Sequence, residues 1–161
     1  MRFVVASSSE LKSEQLSLLL GGLPQVAVRR GSLAEVGAGC DAAVVHYTVA
    51  HDRYGGTPIV GQAQVLRNSR NDGAPPIILA TPPLETGAGT GTEGQAEVEN
   101  HASRMLRSAL AEWARSPLYP SGSAEAACVL HVEAAGLDFG DLGSMARGIR
   151  LAIAGRIGDS E

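Results

Sequence analysis

Ala126-Ala127-Cys128-Val129-Leu130-His131-Val132, then Glu133-Ala134-Ala135, then Gly136-Leu137-Asp138-Phe139-Gly140 decides the fold. The first run is apolar and β-prone, which predicts a strand over 126–132. The glycines at 136 and 140 turn the chain. Beyond them Leu142, Met145, Ala146, Ile149 and Ile153 fall on one stripe, which predicts a closing helix. Strand, glycine turn and helix in succession are the repeating unit of a layered α/β domain.

The same alternation runs outward through the chain. Phe3 to Ala6 reads as a short strand, and Ser7 with Glu10 as a capping box for a helix that turns Leu11, Leu16, Leu19 and Leu20 inward. That helix stops at Gly21-Gly22. Gln25 to Arg30, Ala42 to Tyr47, Gly61 to Arg67 and Ile77 to Ala80 read as further strands, the last closed by Pro82-Pro83. Residues 84–96 are rich in Gly and Thr and predict a flexible loop. After it, Val98, Ala102, Met105, Leu106, Ala109, Leu110 and Trp113 keep one apolar helical face. The expectation is one domain over residues 1–161, a three-layer α/β/α sandwich around a mixed sheet of about six strands.

Composition narrows the classes. Hydrophobic residues at 44% and charged ones at 19% exclude a wholly disordered chain. Thirteen basic against seventeen acidic residues give a formal charge of −4, and only Arg29 and Arg30 are adjacent among the basic ones. No phosphate-tracking stripe is visible, which argues against a nucleic-acid polymer as partner. Cys40 and Cys128 follow no metal-ligand spacing, and no apolar stretch reaches membrane-spanning length. The chain reads as soluble and cytoplasmic, with no membrane partner, no metal and no cofactor.

Several local matches, in order, are similar to the macro domain, the α/β module that holds ADP-ribose. They are Val26 to Gly31 with Ser32-Leu33-Ala34, Asp41 to Val45, Gly61-Gln62-Ala63-Gln64-Val65, Ile78 to Pro82, and Ala134 to Gly140. The resemblance implies a nucleotide cleft at the strand ends, lined by Ser32, Leu33, His46, Gly55, Gly56, Gly136, Phe139, Gly140 and Asp141. It also implies that the strand–helix unit of residues 1–22 is the family's closing unit, moved to the front by circular permutation; the alternative is an ordinary variant with an extra N-terminal strand and a lost last strand. Departures from the family pattern are as informative. Ser32 stands where the family has an adenine-binding Asp, and His46 and Val49 stand where it has the Asn residues of its hydrolases. Asp141 is expected to cap the last helix, in competition with a bound anion.

Other constellations carry chemistry of their own. Glu85-Thr86-Gly87-Ala88-Gly89-Thr90-Gly91 matches a methyltransferase fingerprint, but Pro82-Pro83 break the strand it needs, so a loop is expected. His46, His51 and Asp52, with Tyr54, are expected in one loop, able to form an acid–base or metal cluster if His131 or Asp138 joined them; a polar surface loop is the plainer reading. His131 itself reads as a hydrogen-bonded histidine of the core or pocket edge. Three functions follow. The first is a binding module for ADP-ribose, a related nucleotide or an ADP-ribosylated macromolecule. The second is a scaffold that no longer binds. The third is a divergent ADP-ribosyl hydrolase with His46 or Asp52 as its base.

Overall fold

The fold was analysed in a computed structural model, which describes residues 1–83, 95–120, 126–137 and 141–159, with backbone only at 95–100 and 155–159. Six strands form one sheet: β1 (Arg2–Ser7), β2 (Val26–Arg30), β3 (Ala42–Val45), β4 (Gln64–Arg67), β5 (Ile77–Ala80) and β6 (Ala127–His131). Five helices surround it: α1 (Glu10–Leu20), α2 (Leu33–Val36), α3 (Tyr47–Tyr54), α4 (Gln95–Arg115) and α5 (Leu142–Asp159). The sheet order is β2-β1-β6-β3-β5-β4, parallel throughout except that β4 runs antiparallel to β5. This is the expected α/β/α sandwich with a six-stranded mixed sheet.

The strand pleat divides the core in two. Phe3, Val5, Ala42, Val44, Leu79, Cys128 and Leu130 pack with α1, α4 and α5, whereas Ala6, Ala43, Val45, Ile78, Ala80 and Val129 pack with α2 and α3. With so few aromatics, Trp113 is the largest wholly buried side chain, set edge-on to Tyr119 at 4.9 Å between centroids. Among the described residues, no helix is long and apolar enough to cross a membrane.

Four details differ from the sequence reading. Ser9, not Ser7, caps α1 by accepting the Lys12 amide; Ser7 is the last residue of β1 and is buried. Leu16 and Leu20 face the core, but Leu11 and Leu19 are exposed, because leucines all around this helix leave no single apolar stripe. Residues 47–54 are a helix instead of a loop, and only Ala50 of α3 is buried, so the apolar period that marks a helix is missing. Gln95 and Ala96, expected in the flexible loop, open α4. The rest of that loop, Glu85 to Gly91 included, lies outside the described residues.

Candidate functional site

Neighbouring parallel strands whose following helices pack on opposite faces leave a crevice at their carboxyl ends. The fold makes two. β1 leads into α1 on one face while β2 leads into α2 on the other, and β6 leads into α5 while β3 leads into α3. Both crevices open on the same edge of the sheet.

The β1/β2 crevice is a cleft of about 510 Å³ lined by Ser8, Arg30, Gly31, Ser32 and Glu35. Ser32 is the N-cap of α2. Its hydroxyl accepts the Glu35 amide at 3.2 Å, and Glu35 Oε1 accepts the Ser32 amide at 3.1 Å. These bonds from Ser32 hold the Glu35 carboxyl below its ordinary range. The Ser-x-x-Glu spacing carries this capping signal, which the sequence reading passed over in favour of an adenine contact. One lone pair on the hydroxyl stays available to a ligand. Leu33 packs towards the α2/α3 core.

Behind that cleft a cluster knots three strand ends together. Glu133 Oε1 accepts the Ser7 hydroxyl at 2.6 Å and the Ser8 amide at 2.8 Å. The imidazole Nε2 of His131 lies 2.9 Å from the Gly31 carbonyl and 3.1 Å from Ser8 Oγ, while the Ala134 amide donates to Nδ1 at 3.3 Å. Serine, histidine and glutamate in one cluster invite comparison with a nucleophilic triad, but the wiring is wrong for it. Nδ1 accepts and the Gly31 carbonyl can only accept, so the network assigns the ring proton to Nε2. His131 therefore has no lone pair with which to take the Ser8 proton, and Glu133 bonds Ser7 and Ser8 instead of the imidazole. The cluster is a structural latch. Sequence reasoning found His131 as a hydrogen-bonded pocket-edge residue and missed Ser8 and Glu133, which belong to no local motif.

At the β3/β6 crevice His46 caps α3, its Nδ1 2.7 Å from Thr48 Oγ1, and its ring lies 4.6 Å from that of Tyr47. The His46 amide donates to the Ala134 carbonyl at 2.8 Å, which ties β3 to the turn after β6. Gly136 meets the other side of the imidazole. Its φ is +69°, and a Cβ there would lie 2.9 Å from His46 Cγ and closer still to Cδ2. Two of the expected ligand residues are thus in van der Waals contact. Asp141 caps α5 as expected, accepting the Ser144 amide and hydroxyl at 3.0 Å each, and these bonds lower its carboxyl pKa. That carboxylate stands where an anion would approach the helix terminus. Phe139 and Gly140 lie outside the described residues.

The remaining candidates separate. His46 and Asp52 are six residues apart along α3, roughly 9 Å by helical rise and about 120° apart around its axis, so they do not share a water. His51 turns back on its own helix end, with Nδ1 2.9 Å from the Gly55 carbonyl. Gly56, at φ +79°, is held against the His51 ring and Leu66. Among the described residues, no group of three or more His, Cys, Asp or Glu side chains is placed to hold a metal ion.

Tyr54 anchors the C-terminal end of α3. Its hydroxyl donates to Asp72 Oδ2 at 2.7 Å, and Asp72 also takes bonds from Asn68 Nδ2, the Ala74 amide and Arg53. Burial works to raise the Asp72 carboxyl, but the Asn68, Tyr54 and Ala74 bonds and the Arg53 charge bring it down to about 2. Burial, then the bond and charge of Asp72, push the Tyr54 phenol up to about 12. A depressed carboxyl stabilises above its unfolded pKa of about 3.9 and loses that contribution as pH falls towards about 2. A raised phenol stabilises below about 10 and loses it as pH rises through about 12. Asp72→Asn is expected to cost about 2 kcal/mol at neutral pH. It should also return the phenolate absorbance midpoint of Tyr54 towards about 10. An unmoved midpoint would mean that the pair is not formed.

No protein-family model and no curated protein matches this chain.

Proposed function

We propose that this chain is a binding module for a nucleotide of the ADP-ribose class, carried free or on a modified macromolecule, built on a permuted macro-like fold. The observation that carries the reading is a convergence: residues as far as 105 apart in sequence come to the strand carboxyl ends at the two switch points of the sheet. Gly31 and Ser32 flank one crevice and His46 and Gly136 the other, while Leu33 turns into the core. The position of β1 supports the permuted form. A strand gained independently of one lost would be expected at an edge, whereas β1 lies inside, between β2 and β6. It holds a place the sheet cannot leave empty.

Binding rests on backbone groups and on Ser32 more than on charge, because Asp141 occupies the terminus of α5 with its own carboxylate. A cytoplasmic location belongs to the same reading; the thiols of Cys40 and Cys128 are free and pack on opposite faces of the sheet.

Calorimetric titration with ADP-ribose, with ADP and S-adenosylmethionine as comparators, tests the proposal. The expected result is binding of ADP-ribose alone in the micromolar range, about −8 kcal/mol, weakened in Ser32→Ala. Binding of none of the three would sink the reading and leave the scaffold as the better description.

A further inference from the structure

The geometry points to the outer edge of β2 as a docking site for an extended acidic peptide segment, which adds to the sheet as a seventh strand. β2 is the last strand on its side, and no described strand pairs with its outer edge. The register fixes which groups face outward. Phe3 donates to the Gln25 carbonyl and Gly31 to the Ser7 carbonyl, so in the parallel pattern residues 25, 27, 29 and 31 serve β1. The main-chain groups of Val28 and Arg30 point away from the sheet. No proline or bulge blunts this edge, although edges are ordinarily protected. At the opposite edge the chain folds back beside β4: Ile59 bridges to Gln62, and the Gln64 side chain bonds the Thr57 carbonyl.

The side chains select the occupant. Val26 and Val28 pack towards the large core, while Ala27 and Arg29 are exposed. Arg30 makes one long, exposed ion pair with Glu10 at 3.6 Å, and Arg29 makes none among the described residues. Successive residues of a strand point to opposite faces, so Arg29 and Arg30 set one positive charge above and one below the edge. Arg2 and Arg29 both act on the Cys40 thiol, which places them around one patch of the sheet. With one positive charge on each face, the edge complements a partner that carries carboxylates better than a second copy with the same two arginines. In such a complex main-chain bonds supply affinity and alternate acidic side chains supply selection.

The test uses the full chain with a fluorescein-labelled peptide of alternating glutamate and valine, about eight residues long, and its lysine–valine counterpart. The acidic peptide is expected to bind and to slow amide exchange at Val28 and Arg30. Arg29→Glu is expected to weaken it at least tenfold. Val28→Pro removes an outward amide that β1 does not use and should do the same; if that variant does not fold, Arg29→Glu decides. Equal binding of both peptides, or no binding of the acidic one, would overturn the proposal. So would a concentration-dependent dimer abolished by Val28→Pro, which would assign the edge to a second copy.

Discussion

Gly136→Ala is expected to cost about 3 kcal/mol, an effect of a size reserved for overlap and backbone strain acting together. At φ +69° an alanine is strained even in open space, by roughly 1 kcal/mol or more. Here the space is not open, because the new methyl would run into the His46 ring. That ring cannot swing away freely, since its Nδ1 is engaged by Thr48 and its face lies near Tyr47. The two contributions are separable. In a His46→Ala background most of the overlap disappears and the cost of Gly136→Ala should fall to about 1–2 kcal/mol, the part that belongs to φ. Urea unfolding of the four species of this cycle measures it. Equal costs in both backgrounds would show that the imidazole does not rest on Gly136.

The other large effect is predicted at the centre of the core. Trp113→Ala should lose about 4 kcal/mol, in the range for a wholly buried aromatic whose site cannot collapse. Trp113→Phe should lose far less, about 1 kcal/mol. The indole Nε1–H is buried and finds no acceptor among the described residues, so the smaller ring also removes an unsatisfied donor. The edge-on contact with Tyr119 survives in Phe and not in Ala. Because this is the only tryptophan, unfolding is best followed by far-ultraviolet circular dichroism. Equal losses in the two variants would mean that packing of the ring does not set the cost.

How much of this was legible in the sequence depends on whether a signal is local. The runs at 77–80 and 127–131 are buried on both faces and read as strands from their composition alone. The face of α4 from Ala102 to Trp113 is likewise a pattern within one element. By contrast, Leu11, Leu16, Leu19 and Leu20 of α1 are indistinguishable by residue type, and only the placement of α1 against β1, β2 and α5 decides which are covered. The polar α3 carried no period to read. At the site, the cap of Ser32 and that of Asp141 were encoded within three residues, and the second was recognised. The latch of Ser8, Gly31, His131 and Glu133 spans more than a hundred positions and has no trace until the strands are in register.

That register also dictates an order of assembly. β2 and β1 form one short-range block, and β3, β4 and β5 another, each made from neighbouring sequence. Only β6 touches both, pairing Cys128 with Phe3 on one side and with Ala42 on the other. The two blocks have no sheet hydrogen bonds to each other without it, so loop closure over more than a hundred residues precedes the gain from joining them. Folding should therefore be slow relative to helix formation, with protection of β1 and β3 amides against exchange rising together at the moment β6 is seated.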